Sequence, residues 1–182
     1  CTSGLPDALF AHDGQITKRP VRALTLAALA PRAGESLRDL GAGSGSVPEE
    51  RCLAGGRAMA VELRSDRTAN IRENAARFGV EHRLQVVEGA AAAQLGGLAL
   101  PNAVFIGGGG NAALIEQLWQ IMPQGCRLVA NGVTLETESL LAAEQAKRGG
   151  DLLRIDLASS ASLGRMRGWQ ASRPVVQWSV IR

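Results

Sequence analysis

The stretch Asp39-Leu40-Gly41-Ala42-Gly43-Ser44-Gly45 decides how this sequence is read. The apolar run over 37–40 that leads into it predicts a strand. Glycine at positions 41, 43 and 45 permits a tight backbone turn and lets a ligand approach where side chains would block it. A helix is expected directly afterwards, with Pro48 in its first turn and Glu49 and Glu50 at the positive end of its dipole. Outward from this unit the pattern keeps alternating. Strands are predicted over 57–62, 84–88, 103–106 and 127–131, and helices over 21–29, 65–78, 112–122 and 135–148. Ser65 is the expected N-cap of the second of these helices and Gly79 its stop. Two closing strands, 152–157 and 175–181, have no helix between them and should pair antiparallel at one edge. Strand alternating with helix predicts an α/β domain whose mostly parallel sheet is covered on both faces. Residues 1–182 read as one domain, with 1–20 as an arm packed onto it.

Composition narrows the classes. Of 182 residues, 46% are hydrophobic and 20% charged, which excludes disorder, collagen and a coiled coil. No apolar run approaches the roughly 18 to 20 residues of a membrane span, and the start shows no signal peptide, so no membrane partner is expected. Aromatics are scarce at 3%, which predicts an aliphatic core. The 20 Lys and Arg against 17 Asp and Glu give a net charge of +3, suited to an anionic small molecule. No basic cluster is interleaved with aromatics, so nucleic acid is not expected as a partner. Cys1, Cys52 and Cys126 lack any framework spacing, which suggests a reducing, cytoplasmic setting. His12 and His82 form no metal-ligand pattern with them, and no metal is expected. Residue 1 is Cys rather than Met, so the chain is expected to be either a piece of a longer polypeptide or one whose start has been removed.

In an open parallel sheet, ligands bind beyond the carboxyl ends of the strands. Three features fall there: the glycine loop, Glu62 closing the second strand, and Gly89-Ala90-Ala91 after the third. A carboxylate at position 62 can accept hydrogen bonds from both ribose hydroxyls, and amides near Ala90 and Ala91 can meet an adenine edge. A dinucleotide fingerprint would need glycine at position 46, where Ser46 stands. The Gly-x-Gly-x-Gly spacing after an acid, Asp39, instead fits the amino-acid part of S-adenosylmethionine.

Longer motifs carry a resemblance. Gly4-Leu5-Pro6-Asp7, Phe10, Gly14, Thr17-Lys18, the glycine loop through Val47, Val104-Phe105-Ile106 with Gly107 to Gly110, Asn131-x-Val133-Thr134-Leu135-Glu136 and Gly164-Arg165-Met166-Arg167-Gly168-Trp169 together resemble the decarboxylating precorrin carbon-15 methyltransferases of cobalamin biosynthesis. The likeness runs from Gly4 to the C-terminus. It implies a Rossmann-like class I S-adenosylmethionine-dependent methyltransferase fold, with a seven-stranded sheet and an antiparallel edge hairpin. It also implies a precorrin tetrapyrrole as substrate, methylation at carbon-15 with loss of the ring C acetate carboxyl, and a homo-oligomer, a tetramer. In many bacteria such a unit follows a carbon-5 methyltransferase in one bifunctional chain.

Carried over residue by residue, the resemblance makes Thr17, Gly41, Ala42, Gly43, Ser44, Gly45, Glu62, Ala90 and Ala91 cofactor contacts, with Gly107 and Gly108 at the methionine end. Asn131, Thr134 and Glu136 become the substrate pocket, and Arg165 and Arg167 carboxylate anchors on a loop between the last two strands. Thr17 could equally cap a helix ahead of Pro20, and Asn131, Thr134 and Glu136 could be a plain strand end and helix start. Arg38, Pro48, Glu49, Glu50, Arg51, Ala90 and Gly132 depart from the pattern. Two other classes stay open: a methyltransferase acting on RNA or protein, and a non-catalytic S-adenosylmethionine-binding module.

Overall fold

The computed structural model describes residues 3–95 and 101–182, so Cys1 lies outside the described residues. The chain runs α1 (Arg19–Leu29), β1 (Ser36–Leu40), α2 (Ser46–Leu53), β2 (Arg57–Glu62), α3 (Ser65–Phe78), β3 (Leu84–Glu88), β4 (Ala103–Ile106), α4 (Ala112–Ile121), β5 (Arg127–Gly132), α5 (Leu135–Arg148), β6 (Asp151–Ile155), β7 (Ala158–Leu163), β8 (Met166–Ala171) and β9 (Val175–Ile181). Seven strands form one sheet in the order β3-β2-β1-β4-β5-β9-β6. The first five are parallel, and β9 runs antiparallel between β5 and β6. The order reverses between β1 and β4, and there the loops after the two strands part to leave a crevice.

Each face of the sheet has its own packed layer. Leu26, Leu29, Val47 and Ile71 of α1, α2 and α3 pack on Leu37, Ala60 and Phe105. Leu114, Ile115, Leu118 and Leu141 of α4 and α5 pack on Val104, Ile106, Leu128 and Trp178. Burial on both faces explains why the central strands read as continuous apolar runs rather than alternating ones. The core is mostly aliphatic, but Trp178 and Phe105 sit at its centre; the indole N–H of Trp178 donates to the Gly149 carbonyl at 2.9 Å.

Several expectations change. β7 and β8 pair as a separate antiparallel hairpin, so the segment between the closing strands is not a loop. The α3 N-cap is Arg64, and its amide donates to Glu62 Oε1 at 3.1 Å; Ser65 is already helical. Glu49 stands in the first turn of α2, and both it and Glu50 are buried. Two departures have spatial reasons. A Cβ at Gly132 would lie 2.5 Å from Thr137 Cγ2, so Thr137 occupies that volume. Arg51 lies folded over Gly56 and donates to the carbonyls of Arg32 and Glu35 at 2.6 and 3.0 Å.

The arm is tied down by buried charge. Arg22 Nε donates to Glu50 Oε1 at 2.6 Å, and its other nitrogens reach Asp7 and the carbonyls of Leu5 and Thr17. Glu50 also accepts from the amides of Gly4 and Leu5. Asn74 on α3 bonds both backbone groups of Ala11 and the Ser44 carbonyl, so arm and glycine loop share one support.

Candidate functional site

Glycine suits positions 41 and 43 of the loop for different reasons. Gly41 has φ +74°, and a Cβ there would stand 2.5 Å from the Gly108 carbonyl oxygen, so the loops after β1 and β4 touch backbone to backbone. Gly43 has φ +59°, a region that side chains rarely adopt, and it faces the Gln15 carbonyl of the arm. Between these loops, the arm and the base of the β7–β8 hairpin lies a cavity of about 410 Å³, a size suited to a small-molecule ligand. A second cavity of about 520 Å³ opens at the other end of the sheet, by the starts of β1, β2 and β3. The first lies beyond the carboxyl ends of the strands, where open α/β sheets bind their ligands.

Thr17, Gly41, Gly43, Gly107, Gly108 and Asn131 all line that cavity, although they come from four separate segments. Ala42 and Ser44 complete the loop, and Gly45 is the N-cap of α2. Glu62 meets the loop from β2: its Oε2 accepts from the Gly43 amide at 2.9 Å. A carboxylate offers about four lone-pair sites, and two amides use only two of them. The Gly89 amide donates to the Glu62 carbonyl at 2.9 Å, which sets Ala90 and Ala91 beside Glu62 but outside the cavity lining. Beneath the loop, Asp39 is buried and neither carboxyl oxygen has a partner among the described residues. Burial raises its pKa well above the usual carboxylate range, and the Glu62 charge adds to the rise.

Asn131 is held in place. Its amide donates to Thr25 Oγ1 at 2.9 Å, and its carbonyl oxygen accepts from Gln177 Nε2 at 2.9 Å, so one side chain links α1, β5 and β9. One N–H and one lone pair of Asn131 remain for the cavity. The structure places the other substrate-pocket candidates elsewhere. Thr134 is the N-cap of α5, accepting from the Thr137 amide at 3.2 Å, and Glu136 is exposed on the first turn of that helix; Val133 lines the cavity instead. Arg165 lies in the turn of the β7–β8 hairpin and Arg167 on β8, and neither lines the cavity. Thr17 does not cap α1: Lys18 does, and the Thr17 carbonyl accepts from Arg22. His12 accepts from the Gly14 amide and His82 from Arg83, both at the surface.

Sequence reasoning missed Gln15, Arg67 and Arg173 in the lining, and Thr25 and Gln177 behind Asn131. Lys18 was legible as part of the Thr-Lys motif. Nothing local marks Arg173, which gains its place only when β9 inserts beside β5.

The strand order and the glycine loop define the fold of the S-adenosylmethionine-dependent methyltransferases, and solved enzymes of that class share it. Residues 8–182 match the family described as the precorrin methyltransferase domain, and the chain belongs to that family. It is 58% identical, with a TM-score of 0.97, to the crystal structure of the C-terminal domain of precorrin-6Y C5,15-methyltransferase from Rhodobacter capsulatus, covering 100% of this chain and 98% of that one. It is 51% identical to the precorrin-6Y C(5,15)-methyltransferase [decarboxylating] of a Sinorhizobium species over 97% of this chain, but spans 43% of that protein's length. A shorter relative in Saccharolobus solfataricus, a probable cobalt-precorrin-6B C(15)-methyltransferase (decarboxylating), is 33% identical over 80% of this chain and 77% of its own.

Proposed function

We propose that this domain methylates a precorrin at carbon-15 and removes the ring C acetate carboxyl at carbon-12, using S-adenosylmethionine, within cobalamin biosynthesis. The observation that carries the reading is the single cavity shared by the glycine loop, the arm and Asn131. The shorter archaeal relative supports the carbon-15 half of the bifunctional activity for this part of the chain. Longer relatives carry both activities, and this domain takes only one of them.

The residues present fit the cofactor. Glu62 has lone pairs left for a ribose diol, and the orphaned Asp39 carboxyl lies under the glycine loop, where a cationic amino-acid group would compensate it. S-adenosylmethionine, when bound, supplies an electrophilic methyl group. The protein's task is alignment: Gly107 and Gly108 leave room beside the loop, and Thr17 with its neighbours closes the arm side. Asn131, pinned by Thr25 and Gln177, offers one fixed donor and one fixed acceptor to the substrate. Loss of the carboxyl as carbon dioxide breaks a carbon–carbon bond, its electron pair passes into the macrocycle's conjugated system, and the methylene left behind becomes a methyl group by taking up a proton, so the step consumes a proton and requires no protein base. Val133, Ile155, Leu157 and Val175 supply apolar walls that strip water from that carboxylate.

We read the β7–β8 hairpin as the contact between copies of a homo-oligomer. Leu163, Met166 and Trp169 on it are 69%, 75% and 81% exposed, a cost that an interface would remove. We place the reaction in the cytoplasm, where the buried thiols Cys52 and Cys126 persist. No helix among the described residues is long and apolar enough to cross a membrane.

The test is incubation with precorrin-6B and S-adenosylmethionine followed by mass spectrometry. The expected product has gained one methyl group and lost one carbon dioxide. Cofactor binding without any product would favour the non-catalytic module.

A further inference from the structure

Three cations line the cavity: Lys18 at the end of the arm, Arg67 on α3, and Arg173 between β8 and β9. Arg67 is committed, donating to Asp13 Oδ2 at 2.9 Å. Lys18 and Arg173 differ. Neither side chain forms a hydrogen bond or ion pair with any described residue, whereas Arg22, Arg64 and Arg67 around them are all ion-paired. Both project from fixed backbone. The Lys18 carbonyl accepts from the Arg22 amide at 2.8 Å as α1 begins. Arg173 sits between Ser172, whose amide donates to the Leu157 carbonyl at 2.8 Å, and Pro174, which confines the residue before it to extended conformations. The two charges therefore stand on different walls of one cavity, the arm and the hairpin base, with apolar Leu157 and Val175 beside Arg173.

We propose that Lys18 and Arg173 form a two-point carboxylate clamp that seats an anionic macrocycle at the cavity mouth and sets substrate specificity. The proposal rests on the reading of the substrate given above. A ligand bearing carboxylates around a flat apolar ring matches two separated cations with apolar wall between them. Arg173 presents a planar fork suited to bidentate pairing, and Lys18 a compact point charge. The hairpin-tip arginines are poorly placed for this within one chain. Arg165 lies seven residues beyond Ala158, in the turn past the 6-residue strand β7, and that strand at about 3.3 Å per residue sets it roughly 20 Å from the hairpin base.

The experiment compares wild-type protein with Lys18→Gln, Arg173→Gln, the double variant, Arg173→Lys, and an Arg165→Gln/Arg167→Gln variant. It measures kcat and KM for precorrin-6B and, by calorimetry, affinity for S-adenosylmethionine. Each single clamp variant should raise KM about tenfold or more, the scale of a lost charge-assisted hydrogen bond, with cofactor affinity unchanged. Arg173→Lys should recover only part of the loss. The wild-type KM should rise with salt, and that of the double variant much less. The hairpin-tip variant should stay within about twofold of wild type. Wild-type turnover with an unchanged KM in the double variant overturns the clamp alone. A wild-type protein that never turns over precorrin-6B overturns the substrate reading and the clamp with it.

Discussion

The carboxylate of Glu62 holds the amide of Gly43, Oε2 to N, at 2.9 Å, joining the end of β2 to the middle of the glycine loop. On the proposed reading the same carboxylate accepts from the ribose, so shaping the loop and holding the ligand would fall to one side chain. Glu62→Ala should weaken S-adenosylmethionine binding by about 1.5–3 kcal/mol, the worth of hydrogen bonds to a charged group. NADH should show no binding. Calorimetry giving the variant wild-type affinity would remove Glu62 from the site.

Two loop glycines should fail in different ways. Gly43 meets only the Gln15 carbonyl, at 3.4 Å from a built Cβ, so Gly43→Val should fold but lose binding as the branched side chain enters the ligand's space. Gly41→Ala drives a methyl group into the Gly108 carbonyl and should destabilise the fold itself, by about 1–3 kcal/mol or more. Urea unfolding and calorimetry on both variants separate the effects. A Gly43→Val protein that binds normally would make the loop a structural turn.

Much of this arrangement was legible in the sequence because burial on two faces produces long apolar runs with sharp ends. Strands 57–62, 84–88 and 103–106 and helices 65–78 and 135–148 lie where periodicity puts them. The β7–β8 hairpin was not legible. Its strands, Ala-Ser-Ser-Ala-Ser-Leu and Met-Arg-Gly-Trp-Gln-Ala, are largely exposed, so no hydrophobic alternation marks them. The glycine loop and Glu62 could be read because their chemistry is local. The placing of Arg173 beside Lys18, and of Gln177 behind Asn131, depends on β9 inserting between β5 and β6, which no short-range signal encodes. Thr134 caps α5 with its side chain, the helix start that its place before Leu135-Glu136 also allowed.

Glu49 should give the protein an unusual pH dependence. It is fully buried with no hydrogen-bond partner among the described residues, and burial raises its pKa from 4.5 to about 9, with Arg22 opposing the rise and Asp39 and Glu50 adding to it. Between those values the folded protein holds a proton that the unfolded chain has lost. The stabilisation is full below about pH 4.5 and is lost progressively as pH climbs through 9. Asp39, shifted in the same direction, adds to the decline. Glu49→Gln, which stays neutral, should show a shallower fall in urea midpoint between about pH 6 and pH 9. Equal slopes in both proteins would mean that Glu49 is ionised in the fold.

The central claim is that this domain alone performs methylation at carbon-15 coupled to decarboxylation. The most direct measurement is a single turnover of precorrin-6B with S-adenosylmethionine carrying a carbon-13 methyl group, reading the product by NMR and trapping the carbon dioxide. The account predicts one labelled methyl at carbon-15 and one carbon dioxide released for each macrocycle consumed. A label at carbon-5, or a bound cofactor that transfers no methyl group at all, would contradict it.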